Sequence, residues 1–300
     1  MKNKTLYSFL ILLLFVSACE LYPQDEYEEY FVVESYLVAQ SPLPKVYLST
    51  TGPATERYTF GTYTISEARV IIQLLTIDED TTVESSYTYL MEKPGIYAPL
   101  IPRDVVPGRT YRLIIDNIPG EPEAVITAYT NVPEAFSTIS PVPDSITYQS
   151  PERLEVTLSP SDNGFRQNYF IFTTIAQKPI FENFTPFYAS FFDEDEDELE
   201  DFEKTSSGIV NESNFEISPD SSVILQYPWL AVAFFEENQI VANIIDDNIY
   251  DFVRSQSVQL GGSTLSPGEI PNILYNIEGG IGVFGSIAAD TIQTYIKRPE

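Results

Sequence analysis

Between Tyr30 and Thr130 apolar and polar residues change places in short runs. Ala68, Val70, Ile72 and Leu74 share one parity against Arg69, Ile71 and Gln73, and Tyr111, Leu113 and Ile115 share one against Arg112, Ile114 and Asp116. A period of two marks strands with one face in a core. Further strands are expected at 30–39, 45–50, 85–91 and 124–130. Turns are expected at Lys93-Pro94-Gly95 and Val106-Pro107-Gly108, where proline presets φ and glycine accepts positive φ. Strands this dense, with a turn signal roughly every dozen residues and no helical period of useful length, predict a two-sheet sandwich.

Pro133, Pro141 and Pro143 interrupt the pattern, and a linker is expected over 131–145. Beyond it Leu154, Val156 and Leu158 alternate with Glu155 and Thr157, and Tyr169 to Ala176 is a second apolar run. Trp229 to Phe235 continues the β pattern, and Ile281–Ala288 with Thr291–Ile296 reads as a closing strand or hairpin. Ile249, Phe252, Val253 and Gln256 alone keep a helical spacing, with Asp246 or Asp247 as N-cap, which predicts one short helix. The fold class expected is mostly all-β: an N-terminal sandwich over 30–130, then a second β-rich, sandwich-like unit over 146–300.

Two stretches break the strand pattern. Phe181, Phe184, Phe187, Tyr188, Phe191 and Phe192 run into an acidic segment at 193–203. This is expected as an insertion, its acidic half solvated and its aromatic half either core or contact surface. Asp193, Asp195 and Asp197 match the first ligand positions of an EF-hand. Glu198 stands where the loop needs glycine, however, and Lys204 where it needs a bidentate glutamate, so only weak calcium binding by clustered carboxylates is left. Near the C-terminus Gly280, Gly282 and Gly285 spell G-x-G-x-x-G. Only fifteen residues follow, too few for a dinucleotide-binding unit. The expected role is close packing, with Ile281 and Val283 sealing the second sandwich and an aromatic ring flat against bare backbone; an interaction surface is the alternative.

Composition narrows the chemistry. The formal charge of −28 disfavours nucleic acid and adsorption to anionic lipid. Histidine is absent, which removes the commonest general base and zinc ligand. No nucleophile elbow and no phosphate-cradling loop occurs, so no enzymatic activity and no cofactor are expected; a hydrolase working through paired carboxylates is the outlying reading. With 20 tyrosines and 19 phenylalanines, exposed aromatic rings are the one positive binding signal, suited to stacking on sugars or peptide side chains, although most such residues belong to strands and core.

At the N-terminus Lys2 and Lys4 precede an unbroken apolar run from Phe9 to Val16, too short to span a bilayer, and residues 1–18 are expected to be a secretory leader. The order Val16-Ser17-Ala18-Cys19 resembles the lipobox of bacterial lipoproteins, in which the thiol takes a diacylglycerol; two acyl chains suffice for stable anchoring. Lipidation at Cys19 would spend the only thiol and leave a charge of −30 once both lysines depart. Residues 19–29 form an acidic tether, which resembles the surface-export signals of Bacteroidota lipoproteins.

Pro94-Gly95-Ile96-Tyr97 and Pro107-Gly108-Arg109-Thr110-Tyr111 are similar to turns of prealbumin-type or carboxypeptidase-regulatory-type sandwiches. Tyr275 to Gly285 (Y-N-I-E-G-G-I-G-V-F-G) is very similar to the N-I-E-G-G-x-G-x-F-G signature of the Bacteroidota lipoprotein family called domain of unknown function 4249, and Phe31 to Tyr36 resembles that family's first strand. The resemblance carries no catalytic residues across and does not extend to the acidic insertion. It implies an outer-membrane lipoprotein facing the exterior, accessory to or capturing ligand for a TonB-dependent β-barrel receptor. A structural or adhesive surface module without a small ligand is the alternative.

Overall fold

The computed structural model describes residues 27–77, 82–139, 144–151, 155–159, 167–193, 197–219, 222–227, 229–257 and 272–299. The expected leader and Cys19 lie outside the described residues. The first half holds β1 (Phe31–Val38), β2 (Val46–Thr50), β3 (Arg69–Leu75), β4 (Val83–Lys93), β5 (Ile96–Pro99), β6 (Thr110–Asp116) and β7 (Ile126–Asn131). The second half holds β8 (Ser145–Thr147), β9 (Glu155–Leu158), β10 (Tyr169–Ala176), helix α1 (Pro186–Ala189), β11 (Lys204–Ser206), β12 (Val210–Asn211), β13 (Glu216–Ile217), β14 (Val223–Gln226), β15 (Glu236–Ile245), helix α2 (Asp247–Ser257), β16 (Ile277–Glu278) and β17 (Ile281–Lys297). The protein is mostly β, as the alternation requires.

The alternating residues are inside. Val70, Ile72 and Leu74 of β3 and Tyr111, Leu113 and Ile115 of β6 are buried, with Val33 and Leu37 of β1 in the same core. Helix α2 also forms where expected: Asp246 is its N-cap, its Oδ1 accepting the Ile249 N–H at 2.9 Å. A second helix, the single turn α1, was not expected; Pro186 starts it, its fixed φ suiting the first turn.

One 14-stranded sheet runs in the order β11-β10-β15-β17-β1-β2-β5-β4-β3-β6-β7-β16, with β12 also on β10 and β8 also on β17. A separate sheet contains β13, β14 and β9. The joint is β17. Its start lies parallel to β1, from Val32 opposite Ile281 to Val38 opposite Ile287, and its remainder lies antiparallel to β15, from Ile245 opposite Ile287 to Glu236 opposite Ile296. Strands on both sides of the expected linker therefore share one ladder.

Of the expected closing strand or hairpin, the strand forms: it runs unbroken over Ile281–Lys297, with Ala288, Ala289 and Asp290 paired to Ile244, Asn243 and Ala242 of β15. Two expectations change. Trp229 to Phe235 is not a strand: Trp229–Ala231 is a 3₁₀ turn, followed by the buried residues Val232 to Phe235. The glycine-rich segment does not close the second unit alone. Val283 does pack with Ile245 and Ile249, but Gly280 and Gly282 face β1. At Gly282, where φ is +114°, a Cβ would stand 2.1 Å from the carbonyl oxygen of Val33, so a neighbouring main chain, not an aromatic ring, occupies the space. A ring does lie against a bare glycine elsewhere, at Gly52, where a Cβ would be 2.6 Å from the ring of Tyr63.

Gly282→Ala meets both a forbidden backbone angle and an immovable carbonyl, and should cost about 2–4 kcal/mol in urea denaturation. Gly61→Ala, whose Cβ would meet nothing within 4 Å, is expected to stay within about 0.5 kcal/mol of the parent.

Candidate functional site

The signature residues assemble a junction. The side chain of Asn276 acts as a piece of strand: its Nδ2 donates to the carbonyls of Phe284 (2.7 Å) and Tyr129 (3.0 Å), and its Oδ1 accepts the Phe284 N–H at 3.0 Å. Asn248 of α2 donates to the same two carbonyls, at 3.2 and 2.8 Å. Two amides thus bridge β7 to β17 where no regular ladder joins them. Beside them lies Asp246, only 2% exposed. Its carboxylate accepts from the hydroxyls of Thr130 and Ser286 (3.2 Å) and from Asn248 (3.2 Å). Its partners are hydroxyls and amides rather than a cation, and burial pushes the carboxyl above its ordinary range despite these donors.

The acidic stretch is only partly solvated. Asp195 lies outside the described residues. Asp193 and Asp197 close a local turn, the Asp197 carboxylate accepting the Asp193 N–H at 3.0 Å. Among the described residues no group of three or more acidic, histidine or cysteine side chains is arranged to hold a metal. Past that turn Leu199 and Phe202 fold inward onto a small core with Phe184, Phe192 and Phe234. The aromatic half divides in the same way, with Phe184 buried while Phe181, Phe187 and Phe191 stay exposed.

One open cavity is lined by aromatic rings, two of them exposed. On the outward faces of β1 and β2, Val32 lies opposite Ser49 and Glu34 opposite Tyr47. The segment after β2 folds back over them, held by Thr50 N–H to Tyr63 O (2.8 Å) and Ile65 N–H to Leu48 O (3.1 Å). That return brings Tyr58 and Phe60 beside Tyr47, around a cavity of about 650 Å³ that is also lined by Glu34 and Ser49. Phe60 meets Tyr47 edge-on at 6.0 Å, and Tyr58 stacks on Tyr63 at 5.3 Å. Tyr47 and Tyr58 are nevertheless 39% and 48% exposed. The chain enters next to this cleft, where Tyr27 donates its hydroxyl to the Thr51 carbonyl and the Tyr30 N–H donates to Thr51 Oγ1 at 3.0 Å.

Sequence reasoning did not single out these residues. Tyr47 could have been found from parity, since Val46 and Leu48 point inward. Tyr58 and Phe60 could not, because their segment has no period.

The model of the family described as Domain of unknown function (DUF4249) matches residues 20–293. The chain belongs to this family. Among curated protein sequences nothing matches. Among solved structures, Escherichia coli alpha-2-macroglobulin activated by porcine elastase is 10% identical with a TM-score of 0.23, over 90% of this chain and 23% of that one. The three N-terminal domains of the bacteriophage RB49 Highly Immunogenic Outer Capsid protein (Hoc) are 11% identical with a TM-score of 0.21, over 91% and 71%. The chain spans about a quarter of the macroglobulin's length, 23%. The DUF4249 match takes in both the Asn276 junction and the aromatic cleft, and in this chain the segment from Asn276 to Gly285 locks β17 between β1 and β7.

Asp246 gives that lock a pH dependence. A carboxyl whose folded pKa lies above its unfolded one holds more protons in the folded state, so its contribution to stability is largest below the unfolded value and is lost as pH rises through the folded one. Asp246→Asn keeps an acceptor for the Ile249 N–H and should flatten this part of the stability profile, measured by urea denaturation between about pH 4 and pH 7. Asp246→Ala removes the cap from the helix N-terminus and one acceptor from each of Thr130, Ser286 and Asn248, and is expected to cost about 1–2 kcal/mol.

Proposed function

We propose that this DUF4249 protein is a lipoprotein, anchored through Cys19 to the outer face of the outer membrane, that captures a ligand in the Tyr47–Tyr58–Phe60 cleft on behalf of a TonB-dependent β-barrel transporter. The observation that carries the capture reading is the exposure of aromatic rings around an open cavity. Leaving such apolar faces in water forgoes burial of about 25 cal/mol per Å², a cost that an occupant would recover. The lipid anchor is supported by the order Val16-Ser17-Ala18-Cys19 behind a short apolar run, and the transporter by the family resemblance of the glycine-rich segment.

Position favours the same reading. Tyr27, which is pinned beside the cleft, stands only eight positions after Cys19. A chain of that length reaches at most about 29 Å. A lipid on Cys19 would therefore keep the cleft close to the membrane surface, where a barrel mouth would be found.

Cys19→Ser should move the protein from the membrane fraction to the soluble fraction or stall its processing, as read by fractionation and intact mass. Purification of the native chain under mild detergent should bring down a TonB-dependent barrel identifiable by mass spectrometry. Unchanged anchoring of the serine variant would remove the lipid reading, and the absence of a barrel would favour an adhesive or structural module.

A further inference from the structure

The cleft's walls and its charge identify the kind of ligand it fits, given the capture reading above. Tyr47, Tyr58 and Phe60 present ring faces and edges around a space whose one ionisable group other than the tyrosines is the Glu34 carboxylate. Three more acids stand nearby: Glu56, which accepts from Tyr63, and Glu29 and Glu121, which line the neighbouring hollow beside Tyr63. Among the described residues no lysine or arginine lines either space. Rings around a cation, with a carboxylate to neutralise it, form a recognised arrangement for ammonium and guanidinium groups, because the negative ring face and the carboxylate attract the same charge.

Three of the hydroxyls that a sugar would use are already engaged. Ser49 Oγ and the Tyr58 hydroxyl bond each other at 3.1 Å, and Thr51 Oγ1 donates to the Tyr27 hydroxyl and accepts the Tyr30 N–H, both at 3.0 Å. Glu34 is different. It is exposed, and a carboxylate has about four acceptor positions, so a bond from Tyr36 leaves capacity for an incoming donor. The chain's net charge of −28 also draws cations toward its surface and repels anions.

We infer that the Tyr47–Tyr58–Phe60 cleft binds an organic cation, an ammonium or guanidinium group seated between the aromatic rings and paired with Glu34. The group is carried either by a small amine or by a lysine or arginine side chain of a peptide.

Calorimetric titration of the purified full chain tests this with matched probes. Choline is set against its neutral isostere 3,3-dimethylbutan-1-ol, and the N-acetylated peptide amide Gly-Arg-Gly against the N-acetylated amide Gly-Gln-Gly, with maltotriose as the uncharged sugar. The charged member of at least one pair should bind about tenfold more tightly than its neutral partner, and the pair that responds tells small amine from peptide. Binding should weaken as NaCl rises from about 50 to about 500 mM. Glu34→Gln should lower the affinity about tenfold without shifting the melting temperature, and Tyr58→Phe should retain most of it.

Equal binding of charged and neutral partners, or binding insensitive to Glu34→Gln, would overturn the inference. Binding of maltotriose lost in Tyr47→Ala would overturn it as well, while leaving the cleft a capture site. If no probe binds but the barrel still co-purifies, the cation assignment falls and the transporter partnership stands.

Discussion

A strand buried between neighbours on both edges has two rows of backbone groups to satisfy, and the fold depends on how β17 does so. On one edge it offers Ile281 to Ile287 to β1 in parallel register, and it pairs with β15 for the rest of its length. Toward β7 no ladder forms, and unpaired carbonyls there would each cost on the order of 1–3 kcal/mol. Asn276 and Asn248 replace the missing strand with side-chain amides, which supply the donors that the backbone does not. Ser286 adds a third link by donating its hydroxyl to the Asn131 carbonyl at 3.0 Å. The polar groups at this seam are hydroxyls and amides apart from Asp246, whose burial outweighs its hydroxyl and amide donors and raises its carboxyl.

The same seam explains the glycines. A parallel neighbour as close as β1 excludes side chains from β17 at Gly282, and at Gly285 a Cβ would run into Ile249 of α2 at 2.4 Å. Gly282 answers to the sheet and Gly285 to the helix lying on it. Both depend on Asp246, which holds the first turn of α2 and the hydroxyls of β7 and β17 at once. Strand register, helix position and sheet closure are therefore one arrangement, and a change at any of the three is transmitted to the others.

Much of this was legible in the sequence wherever burial follows period. β10 was expected over its true span of Tyr169–Ala176 because apolar residues fill it, and α2 was expected because Ile249, Phe252 and Val253 keep a helical spacing after an acidic cap. What was not legible depends on partners distant along the chain. The continuity of β17 is set by two different neighbours in succession, and neither is visible from its own residues. Aromatic residues were the least readable. Tyr97 and Tyr111 are buried because their hydroxyls find backbone partners, Tyr97 donating to Ile65 O at 3.0 Å and Tyr111 accepting the Val106 N–H at 2.9 Å. Tyr47 differs from them in lying on the outward side of its strand, and Tyr58 in lying on the irregular segment after β2.

That difference separates the protein's stability from its capacity to bind. The seam at β17 uses buried, satisfied polar groups and tolerates no added atom, so it resists change and is poorly suited to an exchangeable ligand. The cleft sits on the opposite terms. Its floor is the rigid pair β1 and β2, whose other faces lie in the core, while its far wall is the segment carrying Tyr58 and Phe60, held to β2 by a few main-chain bonds. A rigid floor fixes Glu34 and Tyr47 in place, and a wall that contributes little to the core can adjust its rings without cost to the fold. Because β1 is also the strand that accepts β17, the seam that closes the sheet is what holds the cleft's floor in place.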